Sequence, residues 1–93
     1  MNEEPEAAAA QDMARGILQY LEVYPEAKDT LDGIAQWWLR PQGREPMRRE
    51  VDRAVAWLCA QGFLLETRRP GMAPFYQRNS QEREAIAKLL KGA

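Results

Sequence analysis

Residues 45–61 read EPMRREVDRAVAWLCAQ and run directly into residues 62–79, GFLLETRRPGMAPFYQRN. In the first segment Met47, Val51, Ala54, Val55 and Leu58 recur at the three- and four-residue spacing that gathers apolar side chains on one helical face. Pro46 suits a first helical turn, where its missing amide costs nothing, and Gly62 suits a C-terminal cap. The spacing predicts a helix over 46–61. Turning 100° per residue places Arg49, Arg53, Ala56 and Ala60 opposite the apolar stripe, flanked by Arg48 and Asp52, with Trp57 at the stripe's edge. The second segment reads as a hairpin, with strands over 63–69 and 73–79 joined by RPGM, whose Pro70 and Gly71 favour a turn. Two strands this short need a helical core to lean on.

Upstream, Ala14, Ile17, Leu18 and Leu21 mark a helix over 11–24 that Pro25 ends. Residues 1–10 are acidic and alanine-rich, without apolar periodicity, and are expected to form a mobile tail; the alanine run could also extend the first helix backward. A polar connector over 26–29 leads to a second helix over 30–39, capped by Asp29 or Thr30. Its face is Leu31, Ile34, Ala35 and Trp38. Gly33 costs about 1 kcal/mol against alanine there, which suggests close approach of a neighbouring helix. Trp37 points about 100° away from Trp38, so one core does not cover both rings. RPQGRE over 40–45 is a turn. After the hairpin, residues 80–91 form a last helix with a narrow stripe of Ile86, Leu89 and Leu90, begun by Asn79 with Glu82 three residues on.

The totals narrow the chemistry. Ninety-three residues make one domain, here 11–91 after the tail, with a modest core. No apolar run is long enough to cross a bilayer. The acidic N-terminus lacks the basic and apolar regions of a signal peptide, and the lone Cys59 has no disulfide partner within the chain, so a cytoplasmic location is expected. There is no histidine, one cysteine and one serine, which removes zinc spacings and Ser–His or Cys–His nucleophiles. Phosphate-binding glycine loops are absent. The expectation is a protein that is not an enzyme and carries no cofactor or metal.

The net charge of −1 conceals an uneven distribution. Residues 40–78 carry eight cations, all arginine, against four carboxylates, whereas residues 1–39 are acidic. Arginine's planar fork suits phosphates and guanine edges.

The order helix, helix, turn, helix, hairpin, helix resembles the winged helix-turn-helix family over about residues 11–91. The residues that carry the resemblance are TLDGIAQWWL at 30–39, VDRAVAWLCAQGFL at 51–64 and ETRRPGMAPFYQRN at 66–79. The turn between the second and third helices is longer and richer in proline than a tight three-residue turn. The resemblance implies an α+β, mainly α fold: a three-helix core, a two-stranded wing and a C-terminal helix. It also implies a small bacterial transcriptional regulator whose third helix enters the major groove of double-stranded DNA. Arg48, Arg49 and Arg53 on that helix, Arg44 at its N-terminal turn and Arg68 and Arg69 on the wing are then the DNA-binding residues, with Arg40 and Arg78 as weaker candidates.

Each of these side chains also has a structural reading. A charged outer face is ordinary on a helix, although the like-charged Arg49–Arg53 pair costs a few tenths of a kcal/mol and so favours use of that face. Wing arginines also keep a hairpin edge from pairing with other chains. Trp37, if exposed, suits a protein contact better than base stacking, and Cys59 reads as a small packed side chain. The stripe on 80–91 either folds onto the first helix or pairs with a second copy. The acidic tail, the net charge and the tryptophans support an alternative, a winged-helix module that binds protein without DNA.

Overall fold

A computed structural model describes residues 5–92. The architecture is α+β and mainly helical, with four helical segments around a small three-stranded antiparallel sheet. It is compatible with a winged-helix-like arrangement. Helix α1 spans Pro5–Val23. The alanine run therefore extends it back to Pro5 instead of belonging to an irregular tail, and Ala10 is buried; positions 1–4 lie outside the described residues. Met13, Ala14, Ile17, Leu18 and Leu21 form its buried stripe.

Strand β1, Lys28–Thr30, follows α1 where the sequence suggested a polar connector. KDT has no alternation of apolar and polar residues, and Asp is a poor strand former. The segment is a strand because β3 lies alongside it: Lys28, Asp29 and Thr30 pair antiparallel with Gln77, Tyr76 and Phe75. Strands β2, Leu64–Thr67, and β3, Phe75–Arg78, form the expected hairpin, each two residues shorter at the tip than the periodicity implied. Its turn is closed by the Met72 amide donating to the Arg69 carbonyl at 3.1 Å, with Gly71 at φ 75°. The sheet order is β1-β3-β2, so β3 is central.

Helix α2 is built from three consecutive pieces: an α turn Leu31–Gly33, a π-helical stretch Ile34–Leu39 and a 3-10 turn Arg40–Gln42. Thr30 caps it, its hydroxyl accepting from the Gly33 amide at 3.2 Å. The π stretch, closed by the Arg40 amide donating to the Ala35 carbonyl, departs from the expected α-helix. Its wider turn reduces the angle between successive side chains, which lets Trp38 and Leu39 both reach the core beside Ile34. Leu39 was not on the expected face for that reason, and Leu31 and Ala35 are only partly buried against the core.

Helix α3 spans Arg48–Ala60 and buries Val51, Ala54, Val55 and Leu58, as expected. Met47 does not join that stripe. It sits before the helix in extended backbone (φ −85°, ψ 141°) and is 64% exposed. Gly62 has φ 83°, the left-handed geometry a helix C-terminus favours. A 3-10 turn Ser80–Glu82 then leads into helix α4, Arg83–Gly92. Ile86 is fully buried, Leu90 packs on the core, and Arg15 Nη2 of α1 donates to the Leu90 carbonyl at 3.0 Å. Two of the three stripe residues of α4 are thus used within the chain, and Leu89 is left 41% exposed.

Gly33 has a different neighbour from the one expected. A side chain there would collide with the Asp29 carboxylate, which accepts from the Thr30 amide at 2.8 Å. The glycine makes room for a carboxylate at the strand-to-helix junction, not for another helix. Gly33→Ala should therefore gain about 1 kcal/mol of helix propensity only in an Asp29→Ala background. In the native background that gain should be cancelled or outweighed by loss of the Asp29–Thr30 bond, about 1 kcal/mol. Urea denaturation of the four members of this cycle measures the coupling, and equal effects of Gly33→Ala in both backgrounds would remove Asp29 as the cause.

Candidate interaction surface

The six arginines singled out in the sequence meet quite different surroundings. Arg44 lies after the left-handed Gly43 (φ 84°), which turns the chain back toward α1. Its side chain is only 17% exposed. Nε donates to the Asp12 carbonyl at 3.2 Å and to Asp12 Oδ2 at 3.1 Å, Nη2 donates to Asp12 Oδ1 at 3.3 Å, and Nη1 donates to the Gln42 side-chain oxygen. Gln42 Nε2 in turn donates to the Gly16 and Trp38 carbonyls, at 2.9 and 2.7 Å. A phosphate at Arg44 would have to displace this fork, so Arg44 ties the turn before α3 to helix α1.

Arg48 opens α3 between two carboxylates: Asp32 at 3.3 Å, across on α2, and Asp52 at 3.7 Å, one turn along. All three side chains are largely solvent-exposed, and pairs of this kind contribute about 0–1 kcal/mol. What they change is the local field: a phosphate approaching Arg48 meets two negative charges as well. Arg49 and Arg53 follow on the same helix, and both make polar contacts of their own.

The wing arginines differ from each other. Arg68 forms a bidentate fork on Glu66, Nε to Oε1 at 3.0 Å and Nη2 to Oε2 at 3.2 Å. Glu66 stands directly opposite Tyr76 in the hairpin and accepts the Tyr76 hydroxyl at 2.9 Å. The hydrogen bonds from Arg68 and then Tyr76 hold the Glu66 carboxyl below its ordinary range, and the same fork pushes Arg68 up. Arg69 sits over Phe75, 5.8 Å from the ring centroid, with Lys28 of β1 also near that ring at 5.5 Å. Arg68 is therefore neutralised where it stands, and Arg69 carries the cationic character of the turn.

Helix α3 and the hairpin carry Arg48, Arg49, Arg53, Arg68 and Arg69 against Glu50, Asp52 and Glu66, and the fold brings Asp32 to Arg48 and Lys28 to the ring under Arg69. The carboxylates at Arg48 and Arg68 compete with a phosphate for those two side chains. The acidic partner Asp32 belongs to α2, and its position beside Arg48 became visible only in three dimensions.

Two apolar surfaces lie elsewhere. The first is a shelf between the C-terminal half of α1 and α2. Tyr20 stacks on Trp38, with ring centroids 4.9 Å apart and planes 9° apart, and also meets Tyr24 at 4.7 Å. Val23, Tyr24 and Trp37 are 67%, 55% and 64% exposed, and no charged residue lines the shelf. The second is a groove of about 510 Å³ between α1, α3 and α4, with Trp57 and Leu89 on its walls. Trp57, at the edge of the α3 stripe, borders α1 and α4 across this groove. It is 46% exposed and meets Phe63 edge-on at 6.3 Å. Helical periodicity announced the exposure of Trp37, but neither surface could be assembled from sequence, because each joins residues from different elements.

Cys59 is half-buried, and burial, then the charge of Glu66, pushes its thiol up from the ordinary value. A raised thiol is a poorer nucleophile at neutral pH. Among the described residues, no group of His, Cys, Asp or Glu is arranged to hold a metal ion, and no helix is long and apolar enough to cross a membrane.

Two measurements check this geometry. Arg44→Ala should cost about 1–3 kcal/mol, since it removes charge-assisted bonds from a mostly covered site, whereas Arg48→Ala should stay within about 0.5 kcal/mol; denaturant midpoints decide. Burial and the bond to Glu66 push Tyr76 up to about 12. The folded state then holds the phenol proton more tightly than the unfolded state, so this contribution is intact below about pH 10 and falls away as pH rises through 12. Thermal midpoints should drop between those values more steeply in the native chain than in Tyr76→Phe, and parallel curves would show that Tyr76 is not the titrating group.

The chain matches no protein-family model, no curated protein and no solved structure.

Proposed function

We propose that this chain is a winged-helix-like module that binds another protein, and that it is a binding domain with no catalytic role. The observation that carries the reading is the uncharged shelf of Val23, Tyr24 and Trp37 over the Tyr20–Trp38 stack. Covering the exposed part of Trp37 alone is worth roughly 2–4 kcal/mol by area. Tryptophan and tyrosine are the side chains that most often dominate protein interfaces, and an uncharged surround leaves little polar desolvation to oppose the gain.

Binding to double-stranded DNA is the second reading, and Arg69 at the hairpin turn together with Arg49 and Arg53 on α3 support it. Its electrostatics are modest. Arg48 and Arg68 already face carboxylates, which compete with phosphate for them, whereas a protein that grips DNA firmly makes roughly six to ten phosphate contacts. For a second copy pairing through residues 80–91, Ile86 is buried and Leu90 is partly packed within the chain, which leaves Leu89 as the most exposed of the stripe.

Capture from nuclease-treated lysate, compared across three forms of the protein, separates these readings. A partner should be retained by the native chain and by Arg49→Ala/Arg53→Ala and lost by Trp37→Ser, a change at a 64% exposed position that leaves the fold intact. Generic duplex should bind weakly, with a slope of log affinity on log salt shallower than about −2. Sub-micromolar duplex binding with a steep slope, weakened tenfold or more by Arg49→Ala/Arg53→Ala and untouched by Trp37→Ser, would reverse the assignment in favour of DNA.

A further inference from the structure

The aromatic shelf has a size and a chemistry that suit one kind of protein segment. Gln19, Tyr20 and Val23 belong to the last turns of α1, about 21 Å or more along the helix from Pro5. Trp37, Trp38 and Pro41 line the shelf from α2. The rings are held before any ligand arrives: Tyr20 is stacked on Trp38 and meets Tyr24, and Gln42 is bonded to the Gly16 and Trp38 carbonyls. Among the described residues, the lining carries no charged side chain. Its polar side-chain groups include donors set in apolar surface: an indole N–H can only donate, and a phenol O–H donates as well as accepts.

We infer that this shelf receives a short proline-rich segment of another protein, bound in the extended polyproline II conformation. The inference rests on the protein-binding reading and names the partner class of that same surface. Area is the first argument. The exposed parts of Tyr24 and Trp37 come to roughly 250 Å², and Val23 adds less. That is well short of the about 800 Å² per partner of a standard interface, so the shelf by itself suits a short segment and not a folded domain or a second copy. A contact this small holds best a ligand that loses little freedom on binding. Polyproline II is already ordered before it docks, and it docks on aromatic-lined surfaces. Hydrogen bonding is the second argument. Polyproline II has no internal hydrogen bonds, so its carbonyls can accept from the Trp37 and Tyr24 donors, and proline brings no amide N–H to be buried without a partner. The carbonyls of an α-helix are already taken by its own amides. Charge is the third: proline rings are apolar and uncharged, and so is the surface they would cover.

Randomised peptides of about 12 residues displayed on phage, selected on the native chain and counter-selected on Trp37→Ser, test this. The surviving sequences should be rich in proline at three-residue spacing, the repeat of polyproline II. A synthetic copy of the leading sequence should shift the Trp37 indole N–H resonance and leave that of Trp57, in the separate groove, in place. Trp37 is 64% exposed, so substitutions there leave the core intact. Trp37→Ser should weaken the peptide at least tenfold. Trp37→Phe keeps an aromatic ring and removes the donor, and should weaken it at least threefold. Exchanging the prolines of the peptide for alanines should cost at least tenfold. Surviving peptides without proline enrichment, or with the apolar i, i+3, i+4 spacing of a helix, would overturn the inference and leave the protein-binding reading in place, as would equal binding to Trp37→Phe. A selection that yields no peptide dependent on Trp37 would count against both. A native dimer made monomeric by Trp37→Ser, seen by sedimentation, would assign the shelf to a second copy and overturn the inference.

Discussion

Helix α1 has no side chain at Gly16, and the turn that orients α3 is built on that bare spot. A Cβ at position 16 would come within 2.8 Å of Leu39 Cδ2 and 2.9 Å of the Arg44 guanidinium. The bare backbone there also accepts from the Gln42 side-chain amide at 2.9 Å. An aliphatic tip, an amide and a charged fork thus converge on one turn of α1 from the three residues Leu39, Gln42 and Arg44. They hold the end of α2 and the start of the connection to α3 at a fixed distance from α1. The buried stripes of α1 and α3 can then close over Trp38 and Leu39. The proline and glycine of this connection make it a folded-back turn, and Arg44 locks it.

The same economy runs through the charged side chains. Arginine clusters in residues 40–78, which drew attention to nucleic acid, but the folded chain brings acids to several of them. Asp12 comes from α1 to Arg44, Asp32 from α2 to Arg48, and Glu66 from the next position on the same strand face to Arg68. Two of these acids are distant in sequence from the arginine they meet. Arg44, Arg48 and Arg68 are each held by a carboxylate in this way, while Arg69 and Lys28 lie over the Phe75 ring.

Two of the exposed surfaces are apolar. The shelf and the groove lie on different parts of the molecule, the first between α1 and α2 and the second between α1, α3 and α4. Helix α1 borders both. Its 19 residues are long enough to contribute a core stripe on one face and parts of two outer walls on others. Large apolar side chains scattered singly over a surface need no explanation, but contiguous ones usually mark contacts. Trp37 with Tyr24 and Val23 falls in the second class.

Much of the fold was legible in the sequence, and for local reasons. The stripe Val51, Ala54, Val55 and Leu58, the left-handed glycine at 62, the Thr30 cap and the turn around Gly71 all follow from spacing or from what one residue type can do at one backbone geometry. So does the opposed exposure of Trp37 and Trp38. Strand β1 was not legible, because KDT becomes a strand only when Phe75–Arg78, more than forty residues away, supplies the partner backbone. The π stretch was not legible either, since the α period is what pattern reading assumes and two adjacent bulky residues needed to enter one core. For the arginines, the sequence by itself determined how many there are and which helix or strand bears them. Only the tertiary structure decided which meet a carboxylate, because an ion pair depends on a distance of a few ångströms between elements that the order of residues does not encode.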